Sequence, residues 1–226
     1  MTPLETLARQ VHQTLLEYYG QPTWREPLPA VDELVSTILS QNTNDINRDR
    51  AFNSLRERFP RWELVRDAPP AAVVEAIHMA GLANQKGPRI QQVLQEITAE
   101  CGSLDLGFLA NLPLEEARAW LMKHKGVGPK TAAIVLQFSL GRPAFPVDTH
   151  IYRVTGRLGL RPDKMSVEDT HTWLEDLFPP DSYYAAHLNL IRLGREVCAA
   201  RRPDCARCPL RGLCNYVRSQ PPQIGI

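Results

Sequence analysis

The 226-residue chain contains no run of about 18 apolar residues, so neither a membrane-spanning helix nor a membrane partner is expected. Its first stretch, MTPLETLARQVHQ, lacks the basic segment and apolar core of a secretory signal. Internal repeats, low-complexity blocks and convincing runs of strict apolar–polar alternation are also missing. These absences predict a protein of the reducing cytoplasm, where clustered cysteines usually bind metal or take part in catalysis.

Apolar residues recur at three- and four-residue steps along most of the chain, as they do on one face of a helix. Two such series are Leu4, Leu7, Val11, Leu15 and Tyr18, and Ile90, Val93, Leu94 and Ile97. Segments rich in proline and glycine separate the series, at 21–29, 67–70, 141–143 and 178–181. The pattern predicts an all-α fold of about ten helices, followed by a poorly ordered tail at 217–226.

Four of the five cysteines lie in CAARRPDCARCPLRGLC, residues 198–214, with six, two and five residues between them. The close pair Cys205 and Cys208 suits two sulfurs on one metal centre, but structural zinc sites usually use two such pairs. Four thiolates also hold a [4Fe–4S] cube. The spacing leaves zinc, iron–sulfur and, third, disulfides open. Cys101 ends an apolar helical pattern and is interpreted as a buried or incidental thiol.

Positive charge is concentrated in the same segment. The whole chain has a net charge of +1, whereas residues 192–218 hold seven arginines against Glu196 and Asp204, a balance of +5. If a bound metal made this segment rigid, its arginines would be held in place to bind a polyanion. An ordinary solvated face has the same composition, so charge alone leaves both interpretations open.

The stretch KHKGVGPKTAAIVLQFSLGRPAFPVDTH, residues 123–150, carries the most chemistry. Gly126 and Gly128 predict a tight turn between two helices, and Pro129 fits the first turn of the second helix. Glycines at a helix N-terminus let backbone N–H groups approach a phosphate. This is the sequence form of a helix-hairpin-helix, although ordinary helical hairpins also use glycine turns.

Lys130 and Asp148 are the candidate catalytic residues. Lys130 lies at the positive end of an apolar helix, which disfavours its ammonium form by about 0.3–1 kcal/mol. A neutral lysine amine is a nucleophile suited to Schiff-base chemistry, whereas a surface lysine would simply bind phosphate. Asp148 begins the next helix as an N-cap, and a fixed carboxylate can stabilise an oxocarbenium-like sugar. A plain structural cap is the alternative for Asp148. His150 is interpreted as structural or as a support for a catalytic residue, with a catalytic role of its own as the alternative.

Together, G-V-G-P-K-T-A, V-D-T-H with Asp148 18 positions after Lys130, and C-x6-C-x2-C-x5-C resemble the endonuclease III family of DNA glycosylases. The resemblance covers roughly residues 28–216. It implies a two-lobed all-α fold with the active-site cleft between the lobes. A six-helix lobe at 29–142 would hold the helix-hairpin-helix, with Gly126 and Gly128 at the DNA. An iron–sulfur lobe would combine 1–28 with 143–226.

The resemblance also implies a structural [4Fe–4S] cluster and a DNA-binding loop beside it. The cluster ligands would be Cys198, Cys205, Cys208 and Cys214. The phosphate-binding arginines on the loop that the cluster rigidifies would be Arg201, Arg202, Arg207 and Arg211.

Two further stretches match the family's DNA-probing loops. ILSQNTND, residues 38–45, matches L-S-x-Q-x-x-D, with Asn42 where a glutamine that fills the gap of the flipped base is usual. GLANQK, residues 81–86, matches the loop whose leucine wedges between bases, here Leu82. From the residues alone, Asn42 would be a helix cap and Leu82 a core residue. His124 and Lys125 depart from the family's frequent L-P-G-V-G, which bears on substrate range and efficiency.

The activity implied is that of a monomeric, bifunctional DNA glycosylase and AP lyase of the cytoplasm, nucleoid-associated if bacterial. It would remove oxidised or damaged pyrimidines from double-stranded DNA that presents a flipped nucleotide. Lys130 would attack the sugar C1′, Asp148 would support the developing positive charge, and the imine would allow β-elimination.

Three alternatives stay open beside this activity. Adenine-mismatch glycosylases of the family carry a glutamate where this chain has Thr37, and they usually lack the lysine. A uracil or thymine mismatch glycosylase would differ in loops whose specificity the sequence does not reveal. A weakly catalytic iron–sulfur DNA-binding protein would keep the cluster and the hairpin, but the presence of both Lys130 and Asp148 favours an enzyme.

Overall fold

The computed structural model describes residues 1–23 and 26–220. These residues form twelve α-helices with short 3-10 segments and no strand, which confirms the all-α prediction. The chain divides into two compact units, one made of Met1–Arg25 and Pro143–Ile226 and the other of Glu26–Arg142. No helix within the described residues is long and apolar enough to cross a membrane.

In the unit that combines Met1–Arg25 with Pro143–Ile226, the described residues share an apolar core. Thr2 and Glu5 form a capping box that starts its first helix, and Ala8, Val11 and Leu15 lie fully buried along that helix. Its described α-helices are α1 (Pro3–Tyr19), α9 (Thr149–Leu158), α10 (Val167–Leu177), α11 (Tyr183–Glu196) and α12 (Asn215–Arg218).

The tail was expected to be poorly ordered from residue 217 onwards. Val217 and Arg218 instead belong to α12, and residues 221–226 lie outside the described residues.

The unit Glu26–Arg142 is continuous in sequence. The predicted apolar stripe of its longest helix is buried, with Ile90, Leu94 and Ile97 at 0% exposure. Its α-helices are α2 (Ala30–Ser40), α3 (Asp45–Arg58), α4 (Trp62–Asp67), α5 (Pro70–Ala76), α6 (Ala83–Cys101), α7 (Leu114–Met122) and α8 (Pro129–Ile134).

Helices α7 and α8 form the predicted hairpin. The apolar segment after Pro129, expected to be one helix, continues from α8 as a π-helical stretch at Val135–Ser139. The buried face runs through both parts, from Thr131 to Phe138. The hairpin turn is thereby anchored to the core on its C-terminal side.

Candidate functional site

The glycine turn between α7 and α8 is constrained at one glycine and open at the other. Gly126 has a φ of +88°, and a Cβ built there would lie 2.1 Å from Cδ of Arg89. Val127 stabilises the turn in two ways. Its side chain is buried, and its N–H donates to the carbonyl of His124 at 3.0 Å. A Cβ on Gly128, the N-cap of α8, would meet nothing within 4 Å. The backbone at Gly128 is therefore accessible to a ligand such as a phosphate.

Two polar side chains connect this turn to other parts of the same unit. Nε2 of Gln41, the residue after α2, donates to the carbonyl of Gly126 at 3.1 Å. Nη1 of Arg89 on α6 donates to Oε1 of Gln41 at 3.3 Å. No local pattern indicates this connection, because the two pairs of partners lie 85 and 48 residues apart along the chain.

Lys130 and Asp148 occupy the positions that the sequence predicted. Lys130 is the second residue of α8, directly after the glycine turn, and its side chain is exposed. Asp148 is the N-cap of α9, where Oδ1 accepts the N–H of Ile151 at 2.8 Å, and it is half-buried. Lys130 belongs to the unit Glu26–Arg142 and Asp148 to the other unit.

His150 is held among neighbours of its own unit. Its Nδ1 lies 3.1 Å from Nη2 of Arg153, and its Cβ would be 2.8 Å from a Cβ on Gly194 of α11. This packing agrees with the structural interpretation of His150.

Three residues that the resemblance assigns to DNA share an unusual backbone conformation. Asn42, Leu82 and Arg202, with φ values of +53°, +52° and +53°, are the non-glycine residues of the described chain with positive φ. Such a conformation costs of order 1–3 kcal/mol at each residue and persists where surrounding contacts enforce it, often at functional sites. The strain thus coincides with the predicted contacts to nucleic acid.

The interpretations of Asn42 and Leu82 from residues alone are wrong. Asn42 is exposed and caps no helix; Asn44 is the N-cap of α3 and accepts the N–H of Asn47 at 2.9 Å. Leu82 is 49% exposed and precedes α6, so it lies outside the core. Asn42 and Leu82 thus lie exposed in two short segments of the same unit, residues 39–44 and 80–83, which we call the two tips.

A buried lysine beneath these tips was missed in the sequence. Lys86 on α6 is 2% exposed, and its ammonium donates to the carbonyls of Leu39 and Ala80 at 2.8 and 2.9 Å and to Oγ1 of Thr43 at 2.7 Å. Burial lowers the pKa of Lys86 to about 8. The available signal was its position four residues before Ile90, on the apolar stripe of the helix.

His124, one of the departures from the family pattern, is buried and pairs with a partly exposed carboxylate. Its Nδ1 lies 2.8 Å from Oε2 of Glu96 on α6, and its ring packs edge-on against Trp120 at 4.9 Å. The hydrogen bond with His124 lowers the pKa of Glu96. This chain therefore supports the hairpin turn with a polar contact at a position where the family often has leucine.

The arginine-rich segment presents its charge to solvent. Arg201, Arg202, Arg207 and Arg211 are all exposed, and Arg207 pairs with Asp204 at 3.5 Å. A more buried guanidinium, that of Arg157 on α9, donates through Nη1 to the sulfur of Cys198 at 3.2 Å and to the carbonyl of Ala199 at 2.8 Å. Arg157 thus holds the beginning of the segment against α9.

The four cysteines fit a cluster in donor type and number. All five cysteines of the chain are free thiols, so the disulfide alternative is not supported. Burial is the main cause that raises the pKa of Cys205 and raises that of Cys208 to about 11, and the charges of neighbouring cysteines add to it. Among the described residues, however, no group of histidine, cysteine or acidic side chains is arranged as a metal site.

Comparison with known proteins gives one concordant result. Residues 35–180 match a family model described as HhH-GPD superfamily base excision DNA repair protein. Endonuclease III of Thermotoga maritima is 33% identical over 82% of each chain, and that of Sulfolobus acidocaldarius is 32% identical over 81% of this chain and 80% of its own. A trapped endonuclease III–DNA covalent intermediate superposes with a TM-score of 0.79 at 26% identity, over 96% of this chain and 98% of the other.

Proposed function

Because this chain belongs to the HhH-GPD superfamily of base excision DNA repair proteins, we propose that it excises oxidised or damaged pyrimidines from duplex DNA through a Schiff base on Lys130. It is a DNA glycosylase with AP lyase activity of the endonuclease III kind. One observation carries the assignment of the nucleophile: Lys130 stands exposed at the start of α8, one residue after Pro129 and two after the open Gly128.

The amine of Lys130 attacks C1′ of a flipped nucleotide. The bond between C1′ and the base breaks, and the base leaves with the electron pair and takes up a proton. Opening of the sugar ring then gives an imine between C1′ and the lysine nitrogen. Loss of a proton from C2′ breaks the bond between C3′ and its oxygen, which cleaves the strand by β-elimination.

Asp148 supports the positive charge that develops on the sugar. Its carboxylate is fixed by the N–H of Ile151, so its orientation costs little when the reaction begins. We expect Asp148→Asn to keep duplex binding and to slow base release by orders of magnitude, since the loss of one such charge stabiliser costs about 10²–10³ in rate.

Asn42 and Leu82 act on the duplex rather than on the sugar. Extruding a base costs a few kcal/mol of unstacking and unpairing, and side chains that enter the stack offset this cost. Asn42 would fill the gap of the flipped base and Leu82 would wedge between neighbouring bases. Both are exposed, as such a role requires.

The cysteine and arginine segment forms the second contact with DNA. Endonuclease III proteins usually carry a [4Fe–4S] cluster, and Cys198, Cys205, Cys208 and Cys214 would hold it here. A bound cluster would make the segment rigid. Arg201, Arg202, Arg207 and Arg211 then bind phosphates as the protein engages DNA as a monomer, in the cytoplasm and, in a bacterium, at the nucleoid.

Reductive trapping tests the nucleophile. Borohydride added during reaction with a duplex that contains an abasic site should give a protein–DNA adduct that survives denaturation, because an imine is reducible and a noncovalent complex is not. Lys130→Ala should abolish the adduct and leave duplex binding within a few-fold. Lys125→Ala, which removes an exposed lysine of the same turn, should trap normally. Full adduct yield from Lys130→Ala would identify another amine as the nucleophile.

A panel of lesion-bearing duplexes tests the substrate. Oxidised pyrimidines should be released faster than adenine opposite guanine or thymine opposite guanine. Thr37, which stands where the adenine-mismatch enzymes have glutamate, is buried in α2. Preferential release of adenine or of mismatched thymine would redirect the assignment to the corresponding mismatch branch.

A further inference from the structure

One buried ammonium joins the two exposed tips that carry Asn42 and Leu82. Its acceptors on the first tip are the carbonyl of Leu39 and the hydroxyl of Thr43, which lie on either side of Asn42. Its acceptor on the second tip is the carbonyl of Ala80, two residues before Leu82. All three bonds of Lys86 are between 2.7 and 2.9 Å long.

Further hydrogen bonds close the same network. The hydroxyl of Thr43 also contacts the carbonyl of Ala80, which makes a direct bridge between the tips. The backbone N–H of Lys86 donates to the carbonyl of Leu82 at 3.0 Å, so the lysine is fixed to the second tip through its main chain as well. The tips are therefore tied at several points, and Lys86 takes part in most of them.

The chemistry of this arrangement differs from that of an ordinary ion pair. All three acceptors of the ammonium are uncharged oxygens, and the side chain is 2% exposed. Burial of a cation costs free energy that uncharged acceptors offset only when the geometry is good. An ammonium with three donors fixes three oxygens relative to one another, which a methionine of similar size cannot do.

The tips contain two residues, Asn42 and Leu82, whose unfavourable backbone conformation the hydrogen-bond network can stabilise. Leucine and asparagine leave the left-handed conformation when their surroundings allow it, and leucine does so more readily, because its side chain has no local hydrogen bond to gain there. Both Asn42 and Leu82 hold this conformation here. A tip that is already in the binding conformation loses less conformational entropy when it enters DNA.

We propose that Lys86 is a positioning residue that holds Asn42 and Leu82 in their left-handed conformations, so that both tips enter the duplex as one preorganised unit during base extrusion. The inference rests on the proposed function only in that the two tips enter DNA. Lys86 itself is buried and touches neither the sugar nor the base.

The decisive variant is Lys86→Met, with Gln91→Met as its matched control. Gln91 is a buried polar residue on the same helix, and its amide likewise donates to backbone carbonyls, those of Val65 and Ala68 at 2.9 and 2.8 Å, but these lie away from both tips. The two variants thus remove comparable buried hydrogen bonds, and only Lys86→Met removes bonds to Leu39, Thr43 and Ala80.

The first readout is hydrogen exchange in the absence of DNA. The backbone amides of residues 41–44 and 80–83 should exchange faster in Lys86→Met than in wild type, and Gln91→Met should leave them unchanged. Equal exchange in wild type and Lys86→Met would overturn the inference, whatever the protein does to DNA.

The second readout is single-turnover base release from two duplexes. Lys86→Met should slow release from a fully paired lesion about tenfold, the effect expected for the loss of a hydrogen bond to a charged group. Release of the same lesion opposite an abasic site, where extrusion needs less help, should slow much less. Equal slowing on both duplexes, or the same selective loss in Gln91→Met, would overturn the inference.

Two controls separate this inference from the proposed function and from misfolding. A wild-type protein that forms no borohydride adduct would refute the proposed function while leaving the exchange result valid. If Lys86→Met does not fold, Thr43→Val carries the test, because it removes one acceptor and the direct bridge. It should produce the same pattern with a smaller amplitude, and unchanged exchange at both tips would count against the inference.

Discussion

A methyl group would be tolerated differently at Gly126 and at Gly128, because the space beside the two residues differs. Alanine at Gly126 would be held at a φ of +88° and would displace Arg89, which supports Gln41 and the turn. Gly126→Ala should therefore lower the free energy of unfolding by about 1–2 kcal/mol, the usual cost of a left-handed non-glycine residue.

Gly128→Ala is the matched comparison, because the φ of Gly128 is −95° and the space beside it is open. It should unfold at nearly the wild-type urea midpoint and bind duplex more weakly, since the methyl group keeps a phosphate from the backbone N–H groups. Urea denaturation and a duplex titration of both variants measure the contrast. Equal stability losses would mean that the turn tolerates no side chain at either position.

Lys86 should also give stability a characteristic dependence on pH. The folded protein releases the proton of Lys86 at about pH 8, whereas the unfolded chain holds it up to the ordinary pKa of 10.5. Unfolding between these pH values takes up a proton, so the contribution of Lys86 to the free energy of unfolding rises with pH.

The difference between wild type and Lys86→Met measures this contribution, because other titrating groups cancel. Between pH 7.5 and 9.5, the stability of wild type relative to the variant should increase by about 1–2 kcal/mol. Denaturant unfolding at the two pH values provides the measurement. A difference that stays constant would show that Lys86 keeps its ordinary proton affinity.

The sequence resemblance pointed to the segments that carry Asn42 and Leu82, but not to the hydrogen bonds that connect these segments. The resemblance assigned Asn42 and Leu82 to DNA contacts, which stays a prediction, and local preference argued against it, because leucine normally avoids the left-handed conformation and is usually buried. In our proposal, that conformation is held by hydrogen bonds between residues remote in sequence, such as those of Thr43 with Ala80 and Lys86. Periodicity places a lysine on a helix face without revealing which oxygens it meets.

Long helices could be predicted from the sequence, whereas short ones could not. The apolar stripes of α1 and α6, with 17 and 19 residues, span several turns and are buried as the spacing indicates. Helices α4, α5 and α12 have six, seven and four residues, too few to establish a period. The structure therefore has twelve α-helices within the described residues where about ten were predicted.

The segment that carries Arg201 and Arg202 should reveal its contacts through salt. Replacing both with alanine should weaken binding to damaged and undamaged duplex alike. It should also reduce the slope of log affinity against log salt by about one unit for each phosphate that the variant no longer neutralises.

The control is Arg58→Ala combined with Arg61→Ala, two exposed arginines of the other unit, which removes the same charge. Titrations over a series of salt concentrations compare the slopes. A slope that is the same in the two double variants would mean that Arg201 and Arg202 form a merely solvated face.

At the scale of the whole molecule, the cofactor is the clearest test of the resemblance. The purified protein should contain about four irons per chain, the content of a cubane cluster. Cys205→Ser should lose iron, and Cys101→Ser, which changes the cysteine of the other unit, should keep it. Metal analysis of wild type, Cys205→Ser and Cys101→Ser measures the iron content of each. Stoichiometric zinc in wild type would contradict the iron–sulfur assignment and indicate a zinc site instead.

The chemistry of the molecule was more accessible from sequence than the supports of that chemistry. Lys130 and Asp148 were predicted as catalytic because motifs keep their spacing; that role stays a prediction, while each residue does occupy the predicted place at the start of a helix. The pair of His124 and Glu96 was not found, because a histidine in a turn and a glutamate 28 residues earlier share no local pattern. Such supports arise from packing between elements, which spacing along the chain does not encode.

The construction of one unit from both ends of the chain has a consequence for synthesis on the ribosome. Helix α1 emerges before the other elements of its unit, yet Ala8, Val11 and Leu15 share their core with Ile151, Leu174 and Leu190, which are made much later. At about 5–20 residues per second, the nascent α1 waits roughly 10 s or longer for these partners. The continuous unit Glu26–Arg142 meets no such delay, so it is expected to fold first, while the α1 segment is still available to chaperones.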